Sequence, residues 1–101
     1  MSNLSCVNVF AFETVTVAGA STALTAATHS PTGGPGAEQA LLTLEAGQIR
    51  WRADGTAPTA AVGHLLEIGD SLVLDGADTI TKFRGIRTGG TSGSLSVSYQ
   101  R

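Results

Sequence analysis

Two histidines, one cysteine and eight carboxylates are the reactive groups from which this 101-residue chain could build a catalytic or metal site. A nucleophilic site needs a base within hydrogen-bond reach of a hydroxyl or thiol. The run Gly90-Thr-Ser-Gly-Ser has the outline of a nucleophile elbow, but Ser94 stands where the last glycine belongs and no helical pattern follows. His29 sits in a Gly/Thr/Ser-rich stretch and His64 at the start of an apolar run, and neither is placed by spacing beside a nucleophile. Metal binding fares no better. There is no cysteine pair, no His-x-His and no His-Glu-x-x-His, and Asp70, Asp75 and Asp78 each stand where aspartate favours a turn. Gly33-Gly-Pro-Gly lacks the lysine and following helix of a phosphate loop. In Arg50-Trp-Arg, an inward Trp51 flanked by outward arginines accounts for the pattern better than base stacking does. The expectation is a protein without enzymatic activity, cofactor or metal.

The elements that would position these residues are strands. In Gln48-Ile-Arg-Trp-Arg-Ala-Asp-Gly-Thr-Ala-Pro-Thr-Ala, Ile49 and Trp51 share one face of an extended chain and Arg50 and Arg52 the other. Asp54-Gly55 turns the chain, and Pro58 blocks continuation as a central strand. His64–Ile68, Ser71–Asp75, Lys82–Arg87 and Ser94–Tyr99 follow at short intervals, each closed by a glycine-bearing turn. Leu72 and Leu74 share a parity, and Leu95, Val97 and Tyr99 alternate with serines. Phe83 and Ile86 fall on opposite parities, so a bulge at Gly85 is expected to return both to the core. This rhythm predicts an all-β domain: a small antiparallel β-sandwich or jelly-roll-like barrel. Its expected core is Ile49, Trp51, Leu72, Leu74, Phe83, Ile86, Leu95, Val97 and Tyr99.

The first 40 residues read differently. Residues 1–17 form an extended N-terminal strand in which Val7 and Val9 lie on one parity, Phe10 and Phe12 on the other. A strand apolar on both faces is deeply buried or packs on another subunit. Residues 18–37 offer little to anchor a core and read as a long loop or arm, with room for a short helix over Thr22–Ala27. Val7, Val9, Phe10, Phe12, His29 and Pro31 are therefore candidate interface residues. Residues 38–101 complete the sandwich, with 38–46 as a strand, in a single domain spanning 1–101.

Composition narrows the partners. Charged residues make up 14% of the chain, well below the usual quarter, and aromatics 5%. So few large side chains favour oligomerisation. A net charge of −2 disfavours nucleic acid. Cys6 alone forms no internal disulfide, and neither a signal-peptide pattern nor a spanning apolar run is present, so synthesis in a cytoplasm and no membrane partner are expected.

Two resemblances bear on these residues. His64-Leu-Leu-Glu-Ile-Gly-Asp is similar to the first motif of cupin-type jelly rolls, but Leu66 replaces the second metal-binding histidine. The series Ile49-Arg-Trp-Arg-Ala-Asp-Gly-Thr-Ala-Pro-Thr, Gly63–Gly76, Phe83-Arg-Gly-Ile-Arg and Leu95–Tyr99 resembles small virion proteins of tailed bacteriophages. It covers about residues 41–100, and the first run is its most specific part. That resemblance implies a capsid decoration or cement protein: a small β-sandwich, commonly trimeric, on the virion surface with the major capsid protein as partner. Attachment of a tail, baseplate or head fibre is the alternative. A carbohydrate-binding jelly roll is a second one; it requires exposed aromatics, for which Trp51 and Tyr99 are the candidates.

Overall fold

The computed structural model describes residues 8–32 and 35–101; Val7 lies outside them. Eight strands and two short helices follow one another as β1 (Val9–Val17), β2 (Thr22–Ala23), α1 (Ala26–His29), β3 (Gln39–Ala46), β4 (Ile49–Arg52), β5 (His64–Leu66), β6 (Ser71–Asp75), α2 (Ala77–Lys82), β7 (Arg84–Arg87) and β8 (Gly93–Gln100). They make two four-stranded antiparallel sheets, ordered β1-β8-β3-β6 and β2-β7-β4-β5. The chain changes sheet at every connection except β4 to β5. The protein is a small all-β sandwich.

The core lies between the sheets and follows the alternation of the strands. Val15 and Val17, Ala40, Leu42 and Leu44, Leu74, and Leu95, Val97 and Tyr99 point inward from the first sheet. Ile49, Leu66 and Phe83 meet them from the second. Outward positions on β8 are Ser94, Ser96, Ser98 and Gln100, all polar, so this central strand has one dry face and one wet face.

Four expectations are corrected here. Residues 18–37 are not an unanchored loop or arm. They contain β2 and α1, and Leu24, His29 and Ala37 are buried in the chain's own interior. The helix begins at Ala26 rather than Thr22, whose β-branched side chain instead serves in β2 against Gly85. Second, β7 is regular. Gly85 pairs with Trp51 and Ile86 with Arg50 in unbroken register, so there is no bulge at Gly85. Phe83 points inward from the end of α2, Gly85 faces the core beside Val17 and Ile49, and Ile86 lies half-buried on the outer face. The irregularities fall instead at Val9/Ala11 in β1 and Leu44/Ala46 in β3, both against β8. Third, Trp51 and Leu72 are half-buried at the core's margin rather than inside it. The Trp51 ring packs near those of Phe83 and His64. Fourth, Gly76 leads into helix α2, which two threonines concealed in the sequence. Burial of Ile80, a Thr81 Oγ1 donation to the Ala77 carbonyl at 2.9 Å and an Asp78–Lys82 pair at 3.0 Å hold it.

Two glycines set the distance between β3 and its neighbours. Gly47 turns the chain from β3 to β4 with φ of 74°, and a Cβ there would stand 2.8 Å from the Ser92 carbonyl oxygen. Gly93 opens β8 on the inward face, where a Cβ would lie 2.5 Å from Ile49 Cγ2. Gly93→Ala should therefore destabilise the fold by about 1–3 kcal/mol through overpacking. Denaturant unfolding checks this; an unchanged midpoint would mean that Ile49 yields without cost.

Candidate functional site

Three features outside ordinary core packing stand out: a buried polar cluster, an aromatic groove and a sheet face free of basic residues. The cluster joins the segment after β1 to the sandwich. The Tyr99 hydroxyl, on β8, donates to Glu13 Oε2 on β1, and the backbone N–H of Thr25 donates to the same oxygen at 3.2 Å. The His29 ring, only 6% exposed, packs 5.7 Å from that of Tyr99. Burial lowers the His29 pKa from 6.5, although the Glu13 carboxylate opposes this. Burial and the Glu13 carboxylate both hold the Tyr99 hydroxyl protonated far above its usual range. A neutral imidazole, a protonated phenol and a carboxylate could move a proton, but Tyr99 is fully buried and His29 nearly so. The cluster ties the start of α1 to the sandwich, because one carboxylate oxygen accepts from both the Thr25 N–H and the Tyr99 hydroxyl.

The groove runs along the flank where the edge strands β6 and β5 face each other. It encloses about 680 Å³ and is lined by Trp51, Arg52, Asp54, His64, Val73 and Asp75, among others. Strand order puts His64 on one side of Trp51 and Phe83 on the other, at ring separations of 4.8 and 5.9 Å. The loop from Ala53 to Gly63 forms the rim. Arg50 holds it by donating Nε to the Ala60 carbonyl at 3.2 Å and a terminal nitrogen to the Gly63 carbonyl at 2.9 Å. Arg52 grips Asp54 through two hydrogen bonds, 3.1 and 2.5 Å, and the Thr56 N–H adds a third at 3.2 Å. These donors pull the Asp54 pKa down to about 2, the guanidinium contributing most. Across the groove, Gln39 Nε2 donates to Asp75 Oδ1 at 2.7 Å.

The outer face of the β1-β8-β3-β6 sheet is the third feature. One cross-strand row reads Phe12, Ser98, Leu41, Val73, and the next Thr14, Ser96, Thr43, Ser71. Phe12, Leu41 and Val73 are exposed at 60%, 42% and 51%. No lysine or arginine occurs in any of the four strands. The two acids on this face are already engaged, Glu45 by Ser96 at 3.1 Å and Asp75 by Gln39.

The sequence-derived interface residues separate accordingly. Val9 and Phe12 are exposed, whereas Phe10 is half-buried beneath the Arg101 guanidinium, 4.1 Å from its ring. His29 is a correction, being buried in its own chain because α1 turns it onto Tyr99. Pro31 is half-buried close to that helix. Ile49, Leu74, Phe83, Leu95, Val97 and Tyr99 are buried. The Trp51 groove went unread because β4 alternation marks Trp51 as inward without revealing that the sandwich opens there. The groups of histidine, cysteine and carboxylate side chains among the described residues include none arranged to hold a metal ion, and no helix among them is long and apolar enough to cross a membrane. Comparison with known proteins returns no match: no family model, no curated sequence and no solved structure aligns with the chain.

The polar cluster has a measurable consequence. The folded state holds His29 neutral, while the unfolded chain takes up a proton near 6.5. Stability is thus whole above that value and falls as pH drops below it toward the lower folded-state pKa. Thermal melts across this range should show the decline, and His29→Gln should flatten it. Tyr99→Phe should cost about 1.5–3 kcal/mol at neutral pH, because it removes a hydrogen bond to a charged acceptor. Equal unfolding midpoints for wild type and variant would contradict that.

Proposed function

We propose that the protein is a non-enzymatic structural component of a bacteriophage virion. It decorates the capsid surface, bound to the major capsid protein through the outer face of the β1-β8-β3-β6 sheet. The observation that carries this reading is the character of that face: an apolar row beside a hydroxyl row, free of basic residues, with its acids internally hydrogen-bonded. On such a surface Phe12, Leu41 and Val73 gain from leaving water, and no lysine or arginine has to be desolvated.

The resemblance of residues 41–100 to small phage virion proteins supports the same assignment. So does the strand order, 1-8-3-6 over 2-7-4-5, which is in keeping with a jelly-roll wrap. That architecture serves many functions, so it adds consistency rather than identity. Many copies on one lattice hold the shell together although each binds modestly. A homotrimer is the unit favoured by a core with few large aromatic side chains.

The test uses purified protein and phage shells that lack it. Co-sedimentation with the shells and a raised melting temperature of the loaded particle are expected. Phe12→Lys and Leu41→Lys should abolish sedimentation while leaving the protein's own unfolding midpoint within about 0.5 kcal/mol, as for other surface changes. Binding confined to tails or fibres would move the assignment to an attachment role, and absence from every virion part would end it. Light scattering at micromolar concentration decides the trimer.

A further inference from the structure

The groove at Trp51 adjoins the outer sheet face along β6, sharing Val73 and Asp75 with it, but its other lining residues give it a different chemistry. We infer that it is a binding site for a neutral sugar ring, a pyranose of a glycan. This assignment does not depend on the virion reading.

Three observations carry it. The opening, about 680 Å³, lies within the range of roughly 300–1,000 Å³ typical of small-molecule sites. Its apolar wall is preformed: half-buried Trp51, backed by the buried Phe83 ring, and the exposed ring of His64 line it together with Val62 and Val73. A pyranose presents patches of C–H that pack on such a surface, with hydroxyl groups around its edge. Finally, two carboxylates line the groove from separate elements, and each is oriented by the protein itself. Asp54 is held by Arg52 and the Thr56 N–H, and Asp75 by Gln39.

The charge balance selects among ligands. Ionised carboxylates only accept hydrogen bonds, so a ligand must supply donors, and sugar hydroxyls do. Two carboxylates against one guanidinium disfavour phosphorylated, sulfated or sialylated groups. The Arg52–Asp54 pair is already compensated, so Asp75 is the remaining charge of the lining, and a basic side chain is the competitor against which a sugar must be tested. A rigid site whose acceptors are aligned in advance spends little ordering energy when the ligand arrives.

Trp51 is the chain's single tryptophan, so its emission reports on this site alone. The intact protein is titrated with D-glucose, D-galactose and N-acetyl-D-glucosamine, then with their neutral oligosaccharides, followed by fluorescence and calorimetry. A saturable change is expected for at least one sugar, with tighter binding for its oligomers. Asp75→Asn, on an exposed edge strand, should weaken binding about tenfold or more with the melting temperature unchanged. Asp54→Asn should do the same; if it fails to fold, Asp75→Asn decides alone. No saturable response up to about 50 mM, where even millimolar binding would register, overturns the proposal. So would undiminished binding by Asp75→Asn, or a Trp51 response to oligolysine but not to sugars, which would mark a peptide groove.

Discussion

The strict alternation of β8 is the constraint from which the rest of the molecule follows. Leu95, Val97 and Tyr99 are fully buried, and Ser94, Ser96 and Ser98 look outward. Only a strand of this kind can lie at the centre of a sheet with one dry face and one wet face. Its neighbours inherit the register: β1 pairs along nearly its whole length, and β3 does so from the other side. Tyr99 then extends the constraint beyond the sheet. A buried phenol needs an acceptor, Glu13 supplies it, and the same carboxylate oxygen receives the N–H that introduces α1. The polar demand of one side chain thus fixes a segment whose own composition could not have fixed itself.

That dependence explains what could and could not be read from the chain. The strands 38–46, 48–53, 71–75 and 94–99 were legible because their period-two pattern and the glycines bounding them depend only on local sequence. The segment 18–37 was not, because Leu24, His29 and Ala37 are too sparse to form a periodic signal. They are buried by what they meet, not by their spacing. Helix α2 was hidden for the converse reason: Thr79 and Thr81 argue for strand, and only the burial of Ile80 overrides them. At Gly85 the parity argument assumed that Ile86 must be inside. In the structure it stands half-buried on the outer face, opposite Arg50 in the register.

The same reasoning applies to the groove. Alternation correctly turned Trp51 toward the space between the sheets. Whether that space is closed depends on how far β5 and β6 extend, and they are only three and five residues long. Short edge strands limit unwanted strand pairing, but they also leave the flank of the sandwich uncovered. The opening at Trp51 is the result, and the Arg50 hydrogen bonds to the Ala60 and Gly63 carbonyls keep the adjoining loop from filling it.

The distribution of arginine has an effect that the net charge conceals. Arg50, Arg52, Arg84 and Arg87 all belong to the β2-β7-β4-β5 sheet, whose strands contain no acid, while Glu13, Glu45 and Asp75 belong to the other. The strands of one sheet are consequently basic and those of the other acidic, despite an overall charge of only −2. Within a Debye length of an anionic surface, about 10 Å at 0.1 M salt, it experiences a torque that turns the arginine sheet toward that surface. Adsorption would then be oriented rather than random, and a negatively charged matrix would retain a protein that its isoelectric point says it should repel.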